Sequence, residues 1–199
     1  MKLYEEIKKY IPFNEQEEKD RGEMLRFLER YPDAMYRENT LGHFTASAWI
    51  VNPERTKTLM VYHSLYHSWA WTGGHADGDT DLLFTALREA RKETGIIHVR
   101  PVLDEIFSLE ILAVEGHIKH GKYVSSHLHY NVTYLLEAEE TDDLKINISE
   151  NKAVRWWNLE ETVRASTEPW MVENVYRKLM EKTRKIGEIA EETVPGDGS

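Results

Sequence analysis

Residues 73–96 constrain the fold more than any other stretch. Gly73-Gly74-His75-Ala76-Asp77-Gly78-Asp79-Thr80 is a glycine-rich turn. It runs straight into Asp81-Leu82-Leu83-Phe84-Thr85-Ala86-Leu87-Arg88-Glu89-Ala90-Arg91-Lys92-Glu93-Thr94-Gly95-Ile96, where apolar residues recur at helical spacing. The spacing predicts a helix with Leu83, Ala86, Leu87 and Ala90 on its core face. Gly95 is expected to end it in a left-handed conformation. Glu89 and Glu93 are one turn apart and face the same way. At about 100° per residue they fall beside the core face, near its boundary, which predicts a site at the domain edge. Paired carboxylates of this kind suit a hard divalent cation such as Mg²⁺, which in turn binds phosphate oxygens.

The whole chain narrows the options further. Its 199 residues are enough for one domain with extensions and a sizeable core. The formal net charge of −10 argues against binding a nucleic acid polymer, which requires a basic surface. A small phosphorylated substrate stays compatible, because a bound cation supplies positive charge locally. There is no cysteine, hence no disulfide, thiolate metal site or cysteine nucleophile. The N-terminus lacks an apolar signal core and no apolar run reaches membrane-spanning length, so a cytoplasmic protein without membrane attachment is expected.

Along the chain, residues 1–40 read as a charged helical hairpin broken at Pro12 and Asn14, with apolar stripes at Leu3, Ile7 and Tyr10/Ile11 and at Met24, Leu25, Phe27 and Leu28. A domain with a C-terminal helix is expected over 41–190, and a polar, disordered tail over 191–199. His43–Val51 and Thr56–His63 flank a turn and read as a hairpin. Trp69–Trp71 reads as a short strand delivering the chain to the glycines. Longer strands are expected over Val102–Ala113 and Tyr123–Leu136. In the second, Val124, Leu128, Tyr130, Val132, Tyr134 and Leu136 alternate with Ser125, His127, His129, Asn131 and Thr133. A short strand over Val154–Leu159 precedes a helix near Glu160, and Pro169 opens the last helix. This order fits an α+β sandwich with a mixed sheet.

The 74–96 segment resembles the box that marks the Nudix (MutT-like) hydrolases, G-x5-E-x7-R-E-U-x-E-E-x-G-U with U aliphatic. Gly74, Arg88, Glu89, Ala90, Glu93, Gly95 and Ile96 fall in register, whereas Thr80 and Lys92 stand where the pattern has glutamate. The resemblance covers roughly residues 43–166 and implies the Nudix fold, an α/β/α sandwich, with the N-terminal helices as an extension. It also implies a hydrolase that cleaves a diphosphate bond in a nucleoside diphosphate-type substrate with Mg²⁺ or Mn²⁺. Glu93 matches a metal ligand, Glu89 a metal ligand or general base, and Arg88 the arginine that holds a glutamate in place. Glu150, before the 154–157 strand, is the expected further metal carboxylate, with Glu105 and Glu110 as alternatives.

The departures bear on activity. Thr80 carries no charge, and Asp77, Asp79 and Asp81 lie close enough in sequence to compensate. Lys92 lies about 60° around the helix from Glu89, so it can displace one cation or contact substrate phosphate, and fewer ions than the full box supports are expected. The alternative is a ligand-binding or regulatory Nudix domain whose box has lost catalysis. An isoprenoid diphosphate isomerase is disfavoured, because in that family a catalytic cysteine acts. Among nine histidines, His75, next to Gly74, is expected nearest phosphate, and His127 and His129 are expected on the substrate side of the sheet. A transition-metal site made by these two with His63 or His75 is the minor alternative. Trp69, Trp71, Tyr123 and Tyr130 are expected to pack in the core or stack on a base. A homodimer is left open.

Overall fold

Each end of the box helix is stopped by a named residue. In the computed structural model, which describes residues 2–119, 121–148 and 151–192 with side chains through 188, helix α3 spans Leu82–Thr94. The Asp81 side chain accepts a hydrogen bond from the Phe84 amide at 3.0 Å, satisfying a donor that the helix itself leaves open. Gly95 follows at φ 77°, its N–H donating to the Arg91 carbonyl at 2.9 Å, the left-handed cap that glycine adopts without penalty.

The strands are β1 (Gly42–Val51), β2 (Lys57–His63), β3 (Ser68–Ala70), β4 (Thr72–His75), β5 (Val99–Pro101), β6 (Ser108–Val114), β7 (His117–Lys119), β8 (Lys122–Val124), β9 (His127–Ala138) and β10 (Asn151–Asn158). Eight form one mixed sheet with the backbone order β10-β2-β1-β9-β5. Within it β3 pairs with β2, β4 with β1 and β6 with β9, while β7 and β8 pair as a separate ribbon. Of the expected strand over 102–113 only the part from Ser108 is strand, as β6; β5 precedes the expected span, and both are antiparallel to β9. The expected 123–136 strand is divided between β8 and β9. At 69–71 only Trp69 and Ala70 are in a strand, and the chain re-enters pairing at Thr72.

At the centre, β1 runs parallel to β9 over ten pairs, from Gly42↔Leu128 to Val51↔Glu137. Every residue of β1 is buried, as for a strand covered on both faces. Its even residues, Phe44, Ala46, Ala48 and Ile50, join Tyr130, Val132, Tyr134 and Leu136 in a core under α3, α1 (Lys2–Lys9) and α2 (Glu15–Arg30). Its odd residues Trp49 and Val51 join Leu135 and Met60 in a second core. That core is closed by Val172, Val175, Tyr176, Leu179 and Met180 of the last helical segment, which comprises α5 (Pro169–Met171), a π-helical turn (Val172–Tyr176) and α6 (Arg177–Glu192). Helix α4 spans Leu159–Ala165. The result is the mixed-sheet α/β/α sandwich of the α+β class that the sequence led us to expect. The tail beyond 192 lies outside the described residues.

The N-terminal hairpin is attached through polar groups as well as apolar ones. Phe27 stacks on Tyr130 with ring centroids 4.1 Å apart. At β6, Gln16 donates to the Leu109 carbonyl and Asp20 accepts from the Ile111 amide at 3.0 Å, so α2 supplies partners to strand groups that lack a neighbouring strand. Glu17, which is 0 % exposed, accepts from the Phe13 amide, Tyr10, Ser108 and Lys182 at 2.6–2.9 Å. Glu110, buried beside it, pairs with Lys178 at 3.0 Å and accepts from Thr133 and Asn131. Burial alone would raise the Glu17 pKa, but the Lys182 and Lys178 ammonium groups and its hydrogen bonds hold it down at about 2. Glu110 therefore belongs to a network joining α2, β6, β9 and α6.

Candidate active site

The box glutamates are more deeply placed than helical geometry predicts. The buried face of α3 is made by Leu82, Thr85, Ala86, Glu89, Ala90, Glu93 and Thr94, whereas Leu83 and Leu87 are only partly buried. Glu89 and Glu93 are 8 % and 6 % exposed. They lie within the covered face, because β4 passes close to that side of the helix. Gly74 makes this possible: a Cβ there would come within 2.7 Å of Glu89 Cγ and 2.8 Å of Cδ. Gly74 pairs with Ala46 of β1, so its Cα faces the α3 side of the sheet.

Both Glu89 oxygens have basic partners. Arg88 Nε donates to Oε1 at 3.3 Å, and Lys92 Nζ to Oε2 at 2.9 Å. Arg88 also approaches Asp79 at 3.7 Å. Lys92 thus turns towards the site. Thr80 is exposed, and the nearby aspartates have other engagements. Asp77 forms a two-bonded ion pair with Arg37, Asp79 accepts from the Asp81 amide, and Asp81 caps the helix. Gly78, at φ 90°, lies under Tyr36, whose ring a Cβ would strike at 2.6 Å, and its N–H donates to the Met35 carbonyl. Residues 35–37, joining the N-terminal hairpin to β1, therefore hold the glycine loop in place. Glu150 lies outside the described residues.

The histidines gather elsewhere. His75 pairs with Thr45 and His43 with His129, which puts His43, His75, His127 and His129 on the odd face of the sheet, opposite Glu89 and Glu93. One ligand nitrogen from each of His43, His75 and His129 lies within 4.8 Å of the other two. His127 Nε2 is 3.2 Å from His129 Nε2. Burial pushes His75 down to about 3 and His129 to about 2, with His43 shifted the same way; the neighbouring rings and Arg37 add to the effect. His75 and His129 are therefore neutral near pH 7. His63 stacks on Tyr66 instead. His43 is the member that sequence reasoning missed. The alternation His43, Thr45, Ser47 against Phe44, Ala46, Ala48 marks a polar strand face, but which strand lies beside it is not a local property. Of the aromatic residues considered for base stacking, Trp71 and Tyr130 are buried in the two cores, Trp69 packs on Trp157, and Tyr123 is exposed.

The helix, its glycine stop and the glutamates buried beneath Gly74 coincide with a match to the family model described as NUDIX domain, over residues 42–182. The chain belongs to the NUDIX family. Two curated relatives are the asymmetrical bis(5'-nucleosyl)-tetraphosphatases of Mus musculus and Rattus norvegicus, 36 % and 32 % identical over 96 residues. Each alignment covers 48 % of this chain and 58 % of the relative, so the chain spans little more than half the length of the curated relatives it matches. Among solved structures, a C. elegans Ap4A hydrolase binary complex superposes with a TM-score of 0.52 at 20 % identity, covering 73 % of this chain and 97 % of that one. The E. coli dihydroneopterin triphosphate pyrophosphohydrolase gives 0.52 at 12 %, with 69 % and 94 % covered. At these identities the superpositions establish the NUDIX fold. Among the described residues, no helix of this NUDIX protein is long and apolar enough to cross a membrane.

Proposed function

We propose that this chain hydrolyses a phosphoric anhydride bond in a nucleoside diphosphate-type substrate, using Glu89 and Glu93 to hold Mg²⁺ or Mn²⁺. The observation that carries the reading is the pair of buried carboxylates one turn apart on α3, against the backbone of Gly74. Their oxygens are hard donors of the kind Mg²⁺ takes. When bound, the cation supplies charge neutralisation for the phosphates and activation of water. Arg88 orients Glu89 through a charge-assisted hydrogen bond, and α3 with β4 excludes solvent from the inner side of the pair. Glu150 remains our choice for a third carboxylate, on its place in the sequence. The names of the curated relatives make dinucleoside tetraphosphates the first substrates to try, followed by ADP-ribose and nucleoside triphosphates. A cytoplasmic location is part of the same proposal.

Lys92 supports a site of reduced ion count. Its ammonium sits 2.9 Å from a Glu89 oxygen, so a second cation at that oxygen would meet a like charge. Lys92→Glu is expected to raise the number of Mn²⁺ ions bound per chain by one, read by equilibrium dialysis; an unchanged count with an unchanged rate would refute the reduced-ion reading. The same contact favours the second reading, a nucleotide-binding domain without turnover. Phosphate release from the substrate panel with Mg²⁺ and Mn²⁺ separates the two. Metal-dependent turnover establishes the hydrolase, whereas a substrate-induced melting shift without turnover establishes the binding domain. Gly74→Ala is expected to keep the fold but displace Glu89, lowering kcat/KM by about 10²-fold, as misplacement of a reacting group by an ångström does. Steady-state kinetics beside thermal denaturation checks this.

A further inference from the structure

We propose that His43, His75 and His129, with His127 beside them, form a second metal site, for Zn²⁺ or another nitrogen-preferring divalent transition ion, on the sheet face opposite the box glutamates. The site draws on three strands. β1 contributes His43, β4 His75 and β9 both His127 and His129. The parallel register His43↔His129 sets two rings side by side, and β4, paired to the other edge of β1, brings in the third. The ring centroids of His75, His127 and His129 all lie 4.9–5.0 Å from that of His43.

The orientation of the nitrogens is that of prepared ligands. His43 Nδ1 faces the Asn39 carbonyl at 3.2 Å, so it carries the proton and leaves the lone pair on Nε2. That Nε2 is buried and has no hydrogen-bond partner among the described residues, on a side chain belonging to a residue only 3 % exposed. A buried acceptor without a partner costs stability unless something occupies it. His127 repeats the pattern: Nδ1 donates to the Ser125 carbonyl at 2.8 Å, and Nε2 points to His129. Backbone carbonyls that fix the tautomer in this way are the usual outer partners of metal-binding imidazoles. Two nitrogens on one tetrahedral Zn²⁺, each 2.0–2.1 Å from it, stand about 3.3 Å apart, and the His127–His129 separation is 3.2 Å.

The donor set selects the ion. Imidazoles without carboxylate suit zinc, copper, nickel or cobalt and are poor ligands for Mg²⁺. Asp77, the carboxylate whose charge acts on His43 and His75, is committed to Arg37, and that pair offsets its own charges next to the rings. A metal here would tie β4 to β1 and β9 at His75, one residue from the glycine that seats Glu89.

The test uses the full chain stripped with EDTA, titrated with ZnCl₂ or CoCl₂. The expected result is one tightly bound zinc per chain and the intense visible cobalt bands of a low-coordinate nitrogen site. Both should persist in Glu93→Gln, while affinity falls by about 100-fold or more in His75→Gln and His129→Gln. Absence of zinc binding, equal binding by the histidine variants, or loss in Glu93→Gln alone would overturn the proposal. A changed KM in the histidine variants without zinc binding would do the same and assign the rings to substrate. Should these variants fail to fold, zinc-edge X-ray absorption on the unmodified chain decides. Three or four imidazole nitrogens at about 2.0–2.1 Å support the site, and a six-oxygen shell refutes it. Because neither Glu89 nor Glu93 takes part, this proposal and the hydrolase assignment stand or fall separately.

Discussion

Glu93→Gln is expected to lower hydrolysis by about 10²–10³-fold while leaving the fold intact, the scale seen when one preorganised charge is removed from a transition state. Glu93 is 6 % exposed and sits one turn from Glu89. Glutamine keeps its length and loses its charge. With Glu89 already facing Arg88 and Lys92, loss of the second carboxylate leaves the site with too little negative charge to hold a divalent ion. The variant should therefore also lose the rise in melting temperature that Mn²⁺ is expected to give the unmodified chain, since an ion that binds only the native state stabilises it in proportion to occupancy. The checks are phosphate-release kinetics and thermal denaturation with Mn²⁺ or EDTA. A Glu93→Gln protein with full activity would remove the box from the mechanism.

Glu17→Gln is expected to destabilise the fold by about 3–5 kcal/mol, the usual cost of removing one partner from a buried ion pair. Lys182 Nζ has Glu17 at 2.9 Å and the Tyr10 hydroxyl at 2.6 Å. The variant strands that ammonium in a site which already lowers its pKa through burial. Urea denaturation measures the loss, with an unchanged m-value expected if the native fold is kept. The pH dependence carries the opposite sign to that of a buried base. Glu17 ionises at about 2 in the folded chain, well below the ordinary 4.5 of a glutamate. Its contribution is thus fully present above about 4.5 and is lost as pH falls towards 2. The unmodified chain should lose stability across that window more steeply than Glu17→Gln. Equal slopes would mean that Glu17 is not held ionised by the two lysines. A positive result ties the N-terminal hairpin energetically to the NUDIX domain, since the network links α2 to β6 and α6.

Much of the candidate site is readable locally. The caps of α3 are single residues, Asp81 and Gly95, whose preferences act within one turn of the helix. The spacing of Glu89 and Glu93 follows from helical pitch alone. The alternation in β9 likewise sorts Tyr130, Val132, Tyr134 and Leu136 from His127, His129, Asn131 and Thr133, because successive strand residues point to opposite faces. The resemblance of the 74–96 box to the Nudix pattern rests on such local features, and so does the family assignment it anticipates.

Local preferences thus specify the elements, their polar and apolar faces and the position of the box. The tertiary structure alone decided which faces meet. Helical pitch placed the glutamates at the edge of a buried stripe, but only the approach of β4 through Gly74 covers them. Residues far apart in the chain are joined by strand register, as His43 is to His129, and by helix packing, as Glu17 of α2 is to Lys178 and Lys182 of α6. No propensity acts over such separations, and a one-residue slip in the β1–β9 register would send every side chain to the other face. Register is chosen by the simultaneous fit of both cores. For that reason the place of His43 among the histidines and the buried Glu17 network became visible only once the sheet was assembled.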